Sequence, residues 1–424
     1  MTCVGIIGGG ASGLVAAIEA ARQGAQVIIF EAGERIGAPI LRTGNGRCNI
    51  SNTEIFSSDY THKAFVQQVF NELPPEEVYA FFSDAGLLTY VDDEGRIYPY
   101  SGRANTVVDI LRMSAQEAGV EERVKHRVEK IVPTNGKWKL SFQDKQEALL
   151  CDVVVVATGS GIDKVSLPSD IELKHMRPVL GALKTDTTLI KGLDGLRVKA
   201  RVYLDDDEQS LSDAWMDVIS PHKDEAILLK EFYGEVLFRD YGISGIATMD
   251  ISRFAHKGSM VFLDMIPDMT PQENVDFIYN QAMDHPTRTA TDILAGMLPH
   301  QVARAIVKAA GLDPDEPILA EQEAVVLAMV SESFGLEVHG IANPKQAQVR
   351  RGGVKVGEVS PQTLESSKHP GLFITGEALD VDGRCGGFNL HWAWTTGILA
   401  GRAAAEEVFS AHEPVRKSLE ASEK

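Results

Sequence analysis

Residues 3–31 decide the fold, and they read CVGIIGGGASGLVAAIEAARQGAQVIIFE. The first five residues predict a short buried strand, and a glycine-rich turn follows at 8–13. Small and apolar residues then predict a helix that ends before Gly24. Residues 25–30 predict a second strand, which Glu31 closes. A strand, a helix and a strand in this order indicate a βαβ unit with parallel strands.

The turn carries the spacing G-x-G-x-x-G, with its glycines at Gly8, Gly10 and Gly13. Gly8 permits the sharp turn from strand to helix, and Gly13 lets the helix pack closely on the strand. Gly10 leaves bare backbone against which a pyrophosphate can lie. The helix begins at Ala11 and Ser12, where unpaired N–H groups attract phosphates. The unit therefore predicts a dinucleotide site in a Rossmann-type domain.

An acidic residue closes the second strand. Glu31 lies 21 positions after Gly10 and can accept hydrogen bonds from the two hydroxyls of a ribose. A carboxylate there repels a 2′-phosphate, which disfavours NADP at this site. We assign Ala32 and Val128 to the same cofactor surface.

Two later strands favour FAD over NAD as the dinucleotide. Residues 151–159 read CDVVVVATG, and residues 371–380 read GLFITGEALD. Both resemble strands that recur in flavoproteins with two dinucleotide-binding domains. The first passes under the cofactor there, and the second ends near its ribityl and pyrophosphate groups. The resulting candidate FAD ligands are Ala157, Thr158, Gly159, Gly376, Glu377 and Asp380.

A glycine turn and a helix follow at 386–403, which read GGFNLHWAWTTGILAGRA. A helix N-terminus directed at a flavin would stabilise negative charge on the ring during reduction. We therefore assign Gly387, Phe388, Asn389 and Leu390 to the cofactor surface. The alternative is a plain C-terminal helix that two tryptophans dock onto the domain.

Residues 43–52 read TGNGRCNISN, and they look like the T-G-N-G-R-C-N-x-[ST]-N segment of the BaiN/YhiN-like (HI0933-like) family of FAD-dependent oxidoreductases. Residues 95–99, 234–245 and 346–402 resemble the same family. The resemblance implies FAD as cofactor, and some members are linked to bile-acid reduction or amine oxidation. It places these loop residues close to the flavin: Gly44, Asn45, Arg47, Cys48 and Asn49. Hydrogen bonds that only hold the loop are the alternative for Arg47 and Asn49.

The chain departs from the family pattern in two places. Residues 37–42 read GAPILR, without the lysine that members commonly carry there. Members also continue the A-T-G strand with a long S-Y-P…G-S-T-G-D-G-Y loop, which is missing after Gly159. Because that loop borders the cofactor and the domain junction, its loss bears on the substrate site rather than on the fold.

The fold class is α/β: a Rossmann-type FAD-binding domain with an inserted β-rich domain and a helical subdomain. Residues 270–273 read TPQE, a capping box that begins the helical part. Residues 205–208, all acidic, predict a solvated hairpin tip. The expected divisions are an FAD-binding domain at 1–177 and 346–412, a β-rich substrate domain at 178–268, a helical subdomain at 269–345, and a frayed tail at 413–424.

No complete catalytic motif is present, and a flavin needs few protein groups at the reacting centre. His391 lies in the first turn of the C-terminal helix and is the best candidate for a proton donor, although family members often carry Gln there. Tyr241, with Ser244, is a second candidate that would face the substrate, or these residues form a simple β-turn. Cys48 and Cys385 would form a redox pair if they met; otherwise both are small buried residues.

The net charge of −19 over 424 residues disfavours nucleic acid and anionic lipid as partners. The four cysteines have no metal-binding spacing, no segment resembles a signal peptide, and the apolar runs are shorter than the ~20 residues of a membrane helix. We therefore expect a cytoplasmic protein with a small-molecule substrate, no metal and no membrane partner. The sequence leaves the oligomeric state open.

The leading hypothesis is an FAD-dependent oxidoreductase. The sequence has no second G-x-G-x-x-G unit, so NAD(P)H would reduce the flavin from a transient position in the substrate cleft. The alternative is direct oxidation of a substrate, with O₂ or another acceptor reoxidising the flavin. A flavin-binding sensor with little turnover is a second hypothesis. Flavin-dependent RNA modification is a third, which the acidic charge weakens.

Overall fold

The computed structural model describes residues 3–143, 147–205 and 230–410. The chain forms two compact units: unit 1 comprises residues 1–177 and 349–424, and unit 2 comprises residues 178–348. Residues 206–208 of the expected hairpin tip and the whole expected tail at 413–424 lie outside the described residues.

Unit 1 is built on a five-stranded parallel sheet of order β19-β10-β1-β2-β6. Its strands are β1 Cys3–Ile7, β2 Gln26–Phe30, β6 Glu121–Arg123, β10 Val153–Val156 and β19 Leu372–Ile374. The β10 side chains are four buried valines, the continuous apolar run that a parallel sheet covered on both faces requires. The predicted α/β class with a Rossmann-type βαβ unit is confirmed.

Smaller sheets complete unit 1. Their strands are β3 Ser51–Asn52, β4 Thr89–Val91 and β5 Arg96–Pro99; β7 Val128–Thr134, β8 Lys137–Phe142 and β9 Ala148–Cys151; and β11 Leu173–Val179 with β18 Val349–Val354. The helices of unit 1 are α1 Ala11–Arg22, α2 Lys63–Glu72, α3 Pro75–Asp84, α4 Ala104–Glu117 and the C-terminal α10 Phe388–Ser410.

The backbones of α10 and α1 are in direct contact, with no side chain between them at two glycines of α10. A Cβ atom on Gly397 would lie 2.3 Å from the Ser12 carbonyl oxygen, and one on Gly401 would lie 2.4 Å from the Ala16 carbonyl oxygen. These glycines are four residues apart, so they face the same side of α10. The contact joins the two ends of the chain in one hydrophobic core.

Unit 2 contains a closed barrel of six antiparallel strands in the order β12-β15-β14-β13-β16-β17. The strands are β12 Leu183–Thr185, β13 Arg197–Asp205, β14 Lys230–Arg239, β15 Gly242–Ser244, β16 Met260–Asp264 and β17 Phe334–Ile341. The helices are α5 Ile246–Ile251, α6 Pro271–Asp284, α7 Ala290–Leu294, α8 His300–Ala309 and α9 Glu321–Glu332. Strands and helices share one apolar core.

The structure differs from the expected helical subdomain at residues 334–341, which form β17 and close the barrel against β12 and β16. Phe334, Leu336 and Val338 are buried, whereas Glu337 and His339 between and beyond them are exposed. This alternation has the period of a strand rather than of a helix, so the expectation of a helical segment is wrong here. The expected capping box is confirmed, since Thr270 and Glu273 bond reciprocally at the start of α6.

No helix in the described ranges is both long enough and apolar enough to cross a membrane.

The contact between α1 and α10 predicts an unusual effect for a helical Gly→Ala change. Alanine in a helix interior normally adds up to about 1 kcal/mol of stability relative to glycine. In Gly397→Ala the new methyl group would overlap the Ser12 carbonyl oxygen, 2.3 Å away. We expect the free energy of unfolding, measured by urea denaturation, to fall by about 1–3 kcal/mol.

Gly357→Ala is the matched control, because no atom lies within 4 Å of a Cβ placed at Gly357. We expect its unfolding midpoint to stay close to that of the wild type. Equal midpoints for the Gly397→Ala and Gly357→Ala variants would contradict the close packing of the two helices.

Candidate cofactor site

The glycine turn at the start of α1 contains two glycines that the fold requires and one that it does not. A Cβ atom on Gly8 would lie 2.5 Å from the Ala157 carbonyl oxygen, and one on Gly13 would lie 1.9 Å from the Gly8 carbonyl oxygen. Gly10 has an ordinary φ of −83°, and the nearest atom to its Cβ would be Cγ of Pro39 at 4.0 Å. The protein itself therefore leaves free space beside the Gly10 backbone.

The N-terminus of α1 opens onto this space. Gly10 is the N-cap residue and has no side chain to cap the helix, so it leaves the first-turn N–H groups, which begin at Ala11 and Ser12, without a side-chain acceptor from that position. Unpaired N–H groups and the positive end of the helix dipole favour an anion. Free space, bare backbone and an uncapped helix end fit the pyrophosphate of a dinucleotide.

The Glu31 side chain accepts hydrogen bonds from the glycine turn and from the loop that follows β2. Its Oε2 accepts a hydrogen bond from Gly9 N at 2.8 Å, and its Oε1 accepts one from Gly33 N at 2.6 Å. Each carboxylate oxygen retains a further lone pair that a ribose hydroxyl could use. The Glu31 carbonyl oxygen accepts from His126 N at 2.9 Å, and Val128 is buried at the start of β7. The assignment of Ala32 and Val128 to the cofactor stays a prediction.

The ends of β10 and β19 bring Thr158 and Glu377 to the same edge of the sheet. Oγ1 of Thr158 is buried and has no hydrogen-bond partner among the described residues. A Cβ on Gly159 would lie 3.7 Å from Oε2 of Glu377. Oε1 of Glu377 accepts from Arg350 N at 2.6 Å, and burial raises the pKa of this carboxyl to about 7. Ala157 is the buried residue that precedes the pair.

Gly376 links this edge to the helices. Its N–H donates to Oγ1 of Thr396 at 2.9 Å, and its carbonyl oxygen accepts from Nε1 of Trp392 at 3.2 Å. Oγ of Ser12 would be 2.8 Å from a Cβ on Gly376. The carboxyl ends of β1, β10 and β19 therefore meet the N-terminus of α1, which is where open α/β sheets bind ligands.

Asp380 faces two basic side chains, Lys174 and His62, that the sequence motifs do not indicate. Its Oδ2 accepts from Nζ of Lys174 at 2.6 Å and lies 3.1 Å from Nε2 of His62. These three residues line a cavity of about 330 Å³ together with Lys355 and Glu358. The assignment of Asp380 to the cofactor stays a prediction.

The family-specific loop takes an irregular path. Gly44, Asn45, Gly46 and Cys48 all have φ between +54° and +82°. Cys48 is fully buried, and burial raises the pKa of its thiol to about 12, so the sulfur stays protonated and a poor nucleophile. None of the four cysteines, including the half-buried Cys385, is in a disulfide. These features favour the small-buried-residue interpretation of Cys48 over the redox pair.

Arg47 precedes Cys48 and Asn49 follows it, and the two side chains differ in exposure and in contacts. The Arg47 guanidinium is exposed, lies 4.2 Å from the centre of the Tyr98 ring and donates to the Tyr90 hydroxyl. Asn49 is buried, and its Oδ1 has no partner among the described residues. That oxygen would be 2.9 Å from a Cβ on Gly387, so it lies beside the N-terminus of α10.

The first residues of α10 are fixed by the chain around them. A Cβ on Gly387 would lie 2.5 Å from the Ser51 carbonyl oxygen, so β3 passes directly over the helix start. The Asn389 amide accepts from Gly383 N at 2.8 Å and donates to the Gly383 carbonyl oxygen at 3.1 Å. Phe388 is buried, and Leu390 packs against the core of unit 1. Asn389 thus holds the preceding loop.

His391 is enclosed in the core of unit 1. Its Nδ1 lies 2.8 Å from Oγ of Ser51, and its Nε2 has no partner among the described residues. The rings of Phe70 and Tyr79 lie 5.8 and 6.0 Å away. Burial lowers the pKa of His391 to about 3, so the imidazole is neutral near pH 7. A neutral, enclosed imidazole is a poor proton donor, and we do not retain His391 in that role.

Tyr241 belongs to unit 2, between β14 and β15. Its carbonyl oxygen accepts from Thr185 N at 3.1 Å, and the Arg239 guanidinium lies 5.9 Å from the centre of its ring. The backbone bond ties Tyr241 into the barrel. Its role toward a substrate stays a prediction.

The burial of His391 predicts a pH dependence of stability. The unfolded imidazole takes up a proton near pH 6.5, whereas the folded one does so only near pH 3. Between these values the unfolded state binds more protons, so the free energy of unfolding falls as the pH falls. His391→Gln cannot protonate, and we expect a flatter profile between pH 6.5 and 4, measured by urea denaturation.

Ser51→Ala is the control, because it removes the hydrogen bond to His391 and keeps the titrating imidazole. We expect Ser51→Ala to be less stable at all pH values but to keep the wild-type slope. An unchanged slope in His391→Gln would show that the imidazole is not held neutral by burial.

Comparisons with known proteins identify the family of the chain. The profile of the HI0933-like protein Rossmann domain matches residues 2–403. The chain is 36% identical over 426 residues to a 3-dehydro-bile acid delta(4,6)-reductase of Clostridium scindens, across 96% of this chain and 100% of that protein. It is 26% identical over 402 residues to a ribosomal RNA dihydrouridine synthase of Haemophilus influenzae, across 92% and 95% of the two chains.

Among solved structures, a 3-ketosteroid-delta4-(5alpha)-dehydrogenase from Rhodococcus jostii aligns over 95% of this chain and 97% of that chain, with 16% identity and a TM-score of 0.46. The family assignment depends on the sequence matches, which span nearly the whole chain. The chain belongs to the HI0933-like family of FAD-dependent oxidoreductases with a Rossmann domain.

Proposed function

We propose that the protein is an FAD-dependent reductase of small cyclic molecules in which a carbon–carbon double bond is conjugated to a carbonyl group. The assignment of FAD as the cofactor depends on the free space beside the Gly10 backbone, at an uncapped helix N-terminus. Gly10 to Gly13 would hold the pyrophosphate there, and Glu31 would hold the adenosine ribose. Bound FAD supplies a ring that can accept and donate a hydride.

Buried polar atoms elsewhere at this edge of unit 1 support the same assignment. Oγ1 of Thr158 and Oδ1 of Asn49 are buried without partners among the described residues. Buried polar groups in proteins are generally hydrogen-bonded, so each one points to a missing partner. Hydroxyl and ring N–H donors of a flavin cofactor would satisfy acceptors such as the Asn49 oxygen. The first turn of α10 would stabilise negative charge next to that oxygen.

The substrate class is inferred from two relatives whose named substrates differ but whose names both describe the reduction of a ring. One is named as a delta(4,6)-reductase of a 3-dehydro-bile acid, and the other as a dihydrouridine synthase. A dihydrouridine is a uridine whose ring double bond, conjugated to a carbonyl, has been saturated. Hydrogen addition across such a bond is therefore the reaction that we propose for this chain.

A small molecule fits this chain better than RNA does. Binding a phosphate backbone requires a cationic surface, and the net charge here is −19. RNA modification is nevertheless the second candidate, because the alignment with the dihydrouridine synthase covers 92% of this chain at 26% identity. A sensor without turnover is not favoured, since both relatives are named as enzymes. NADH or NADPH is the proposed reductant.

The cofactor assignment predicts a binding defect for Gly10→Thr. Threonine is about as favourable as glycine at a helix N-cap, and the protein leaves room for its side chain. The side chain would instead occupy the space proposed for the pyrophosphate. We expect FAD affinity, measured by fluorescence titration, to fall about tenfold or more, with an unchanged unfolding midpoint for the cofactor-free protein.

Gly13→Ala is the contrasting variant, because its methyl group would lie 1.9 Å from the Gly8 carbonyl oxygen and should destabilise the fold itself. Normal FAD binding by Gly10→Thr would contradict the proposed position of the pyrophosphate.

The reaction is tested by anaerobic mixing of the FAD-loaded protein with NADH or NADPH, followed by 2-cyclohexen-1-one. We expect the flavin absorbance to bleach with a nicotinamide and to return when the enone is added. Bleaching without reoxidation by cyclic enones would contradict the substrate class. Tight binding of a uridine-containing RNA at physiological salt would instead favour the second candidate.

A further inference from the structure

Arg47 is a cation that the protein holds in place without neutralising it. Its guanidinium lies 4.2 Å from the centre of the buried Tyr98 ring and donates a hydrogen bond to the Tyr90 hydroxyl. The two rings stack on each other, with centroids 5.8 Å apart and planes 26° apart. Within residues 3–143, 147–205 and 230–410, no carboxylate forms an ion pair with Arg47. The tyrosines therefore fix the orientation of a guanidinium whose charge remains available.

Arg47 is linked to the start of α10 through β5, because β5 carries Tyr98 and pairs with β3, whose Ser51 carbonyl oxygen lies 2.5 Å from a Cβ at Gly387. The chain enters Arg47 through Gly44, Asn45 and Gly46, all with positive φ, so the arginine projects from a tight turn rather than from a helix or strand. Two residues later the unpartnered, buried oxygen of Asn49 lies beside Gly387, at the start of α10. Arg47 and Asn49 thus place an exposed cation and a buried hydrogen-bond acceptor two residues apart in the same loop.

Flat aromatic surface adjoins the cation. Tyr90 is only partly buried, and the ring of Tyr100 lies edge-on to it at 6.5 Å and is 69% exposed. Aromatic faces contribute binding energy to flat rings through stacking and edge contacts. A permanently charged donor beside such faces suits a planar ring that carries an oxygen.

We propose that Arg47 binds the carbonyl oxygen of a planar cyclic substrate and stabilises the charge that develops there during reduction. This inference rests on the proposed function. Bound FAD, once reduced by a nicotinamide, would supply a hydride to the β carbon of the conjugated system. The π electron pair of the C=C bond then becomes a π bond between the α carbon and the carbonyl carbon. The carbonyl π pair moves to the oxygen, which becomes an oxyanion.

Arg47 holds that oxyanion and keeps its own protons, because a guanidinium is permanently charged. Water gives a proton to the α carbon and leaves as hydroxide, and the carbonyl group forms again. Preorganised donors directed at an oxyanion are worth about 10²–10³-fold in rate. Arg47 is therefore assigned as a catalytic residue for the oxygen end of the substrate, rather than as a ligand of the cofactor.

The test uses 4-chlorophenol, whose phenolate is a flat ring with a negatively charged oxygen. We expect the FAD-loaded wild-type protein to bind it more tightly as the pH rises and the phenol ionises, seen as a perturbation of the flavin absorbance. In Arg47→Gln the phenolate affinity should fall about tenfold or more, and Arg47→Lys should recover part of it. Anisole, which has the ring without the charged oxygen, should bind both proteins equally.

Arg42→Gln is the matched control, because Arg42 is an exposed arginine in the same segment for which the described residues provide no ion pair. We expect it to bind FAD and phenolate normally. In turnover of 2-cyclohexen-1-one, kcat should fall about 10²-fold in Arg47→Gln, while the rate of flavin reduction by the nicotinamide stays unchanged.

Three results would overturn the inference about Arg47 alone: equal phenolate affinity in Arg47→Gln and wild type, no phenolate binding to the loaded wild type, or a loss of FAD affinity in Arg47→Gln that accounts for the whole defect. Failure of the proposed function has a different signature. It would appear in the wild-type protein itself, as failure to bind FAD or to be reoxidised by any cyclic enone, and it would overturn the inference as well.

Discussion

The packing of α1 against its neighbours is the constraint on which unit 1 depends. The helix start is pressed so closely against the preceding turn that a Cβ on Gly13 would be 1.9 Å from the Gly8 carbonyl oxygen. On its other side, Gly397 of α10 leaves no room for a methyl group against Ser12. Because both contacts involve backbone, neither can relax by a change of rotamer. The N-terminus of α1 is therefore fixed with respect to the sheet edge and to the C-terminal helix.

This constraint arranges the charges of the site. Acidic groups at the sheet edge are turned inward: Glu31 accepts from two backbone N–H groups, and Glu377 is buried with its pKa raised to about 7. No side chain at Gly10 caps the first turn of α1, and the exposed guanidinium of Arg47 forms no ion pair with a carboxylate of the described segments. A chain with a net charge of −19 thus keeps an uncapped helix end and an arginine where we propose an anionic cofactor and a developing oxyanion.

Features encoded over short stretches could be predicted from the sequence. The βαβ unit follows from 29 consecutive residues, and the capping box at Thr270 from four. Burial could not be predicted in the same way, because it depends on partners far away in the chain. His391 is neutral because Ser51, 340 residues earlier, and the aromatic rings around it exclude water. The basic side chains at Asp380 could not be predicted for the same reason, since His62 is 318 residues away.

The segment after Gly159, where the family pattern predicts a longer loop, contributes differently to the fold and to the candidate site. After Gly159 the chain makes one short 3₁₀ turn, Gly159–Lys164, and then enters β11, which pairs with β18. Gly352 of β18 lies so close to β11 that a Cβ on it would be 2.4 Å from the His175 carbonyl oxygen. This pairing therefore requires a glycine at that position. The sheet therefore needs nothing from the absent loop. Lys174 on β11 instead reaches Asp380, so the segment that replaces the loop supplies a charge beside the acidic residue of the second FAD-type strand. We therefore expect this segment, rather than the glycine turn or α10, to affect which substrate the chain accepts.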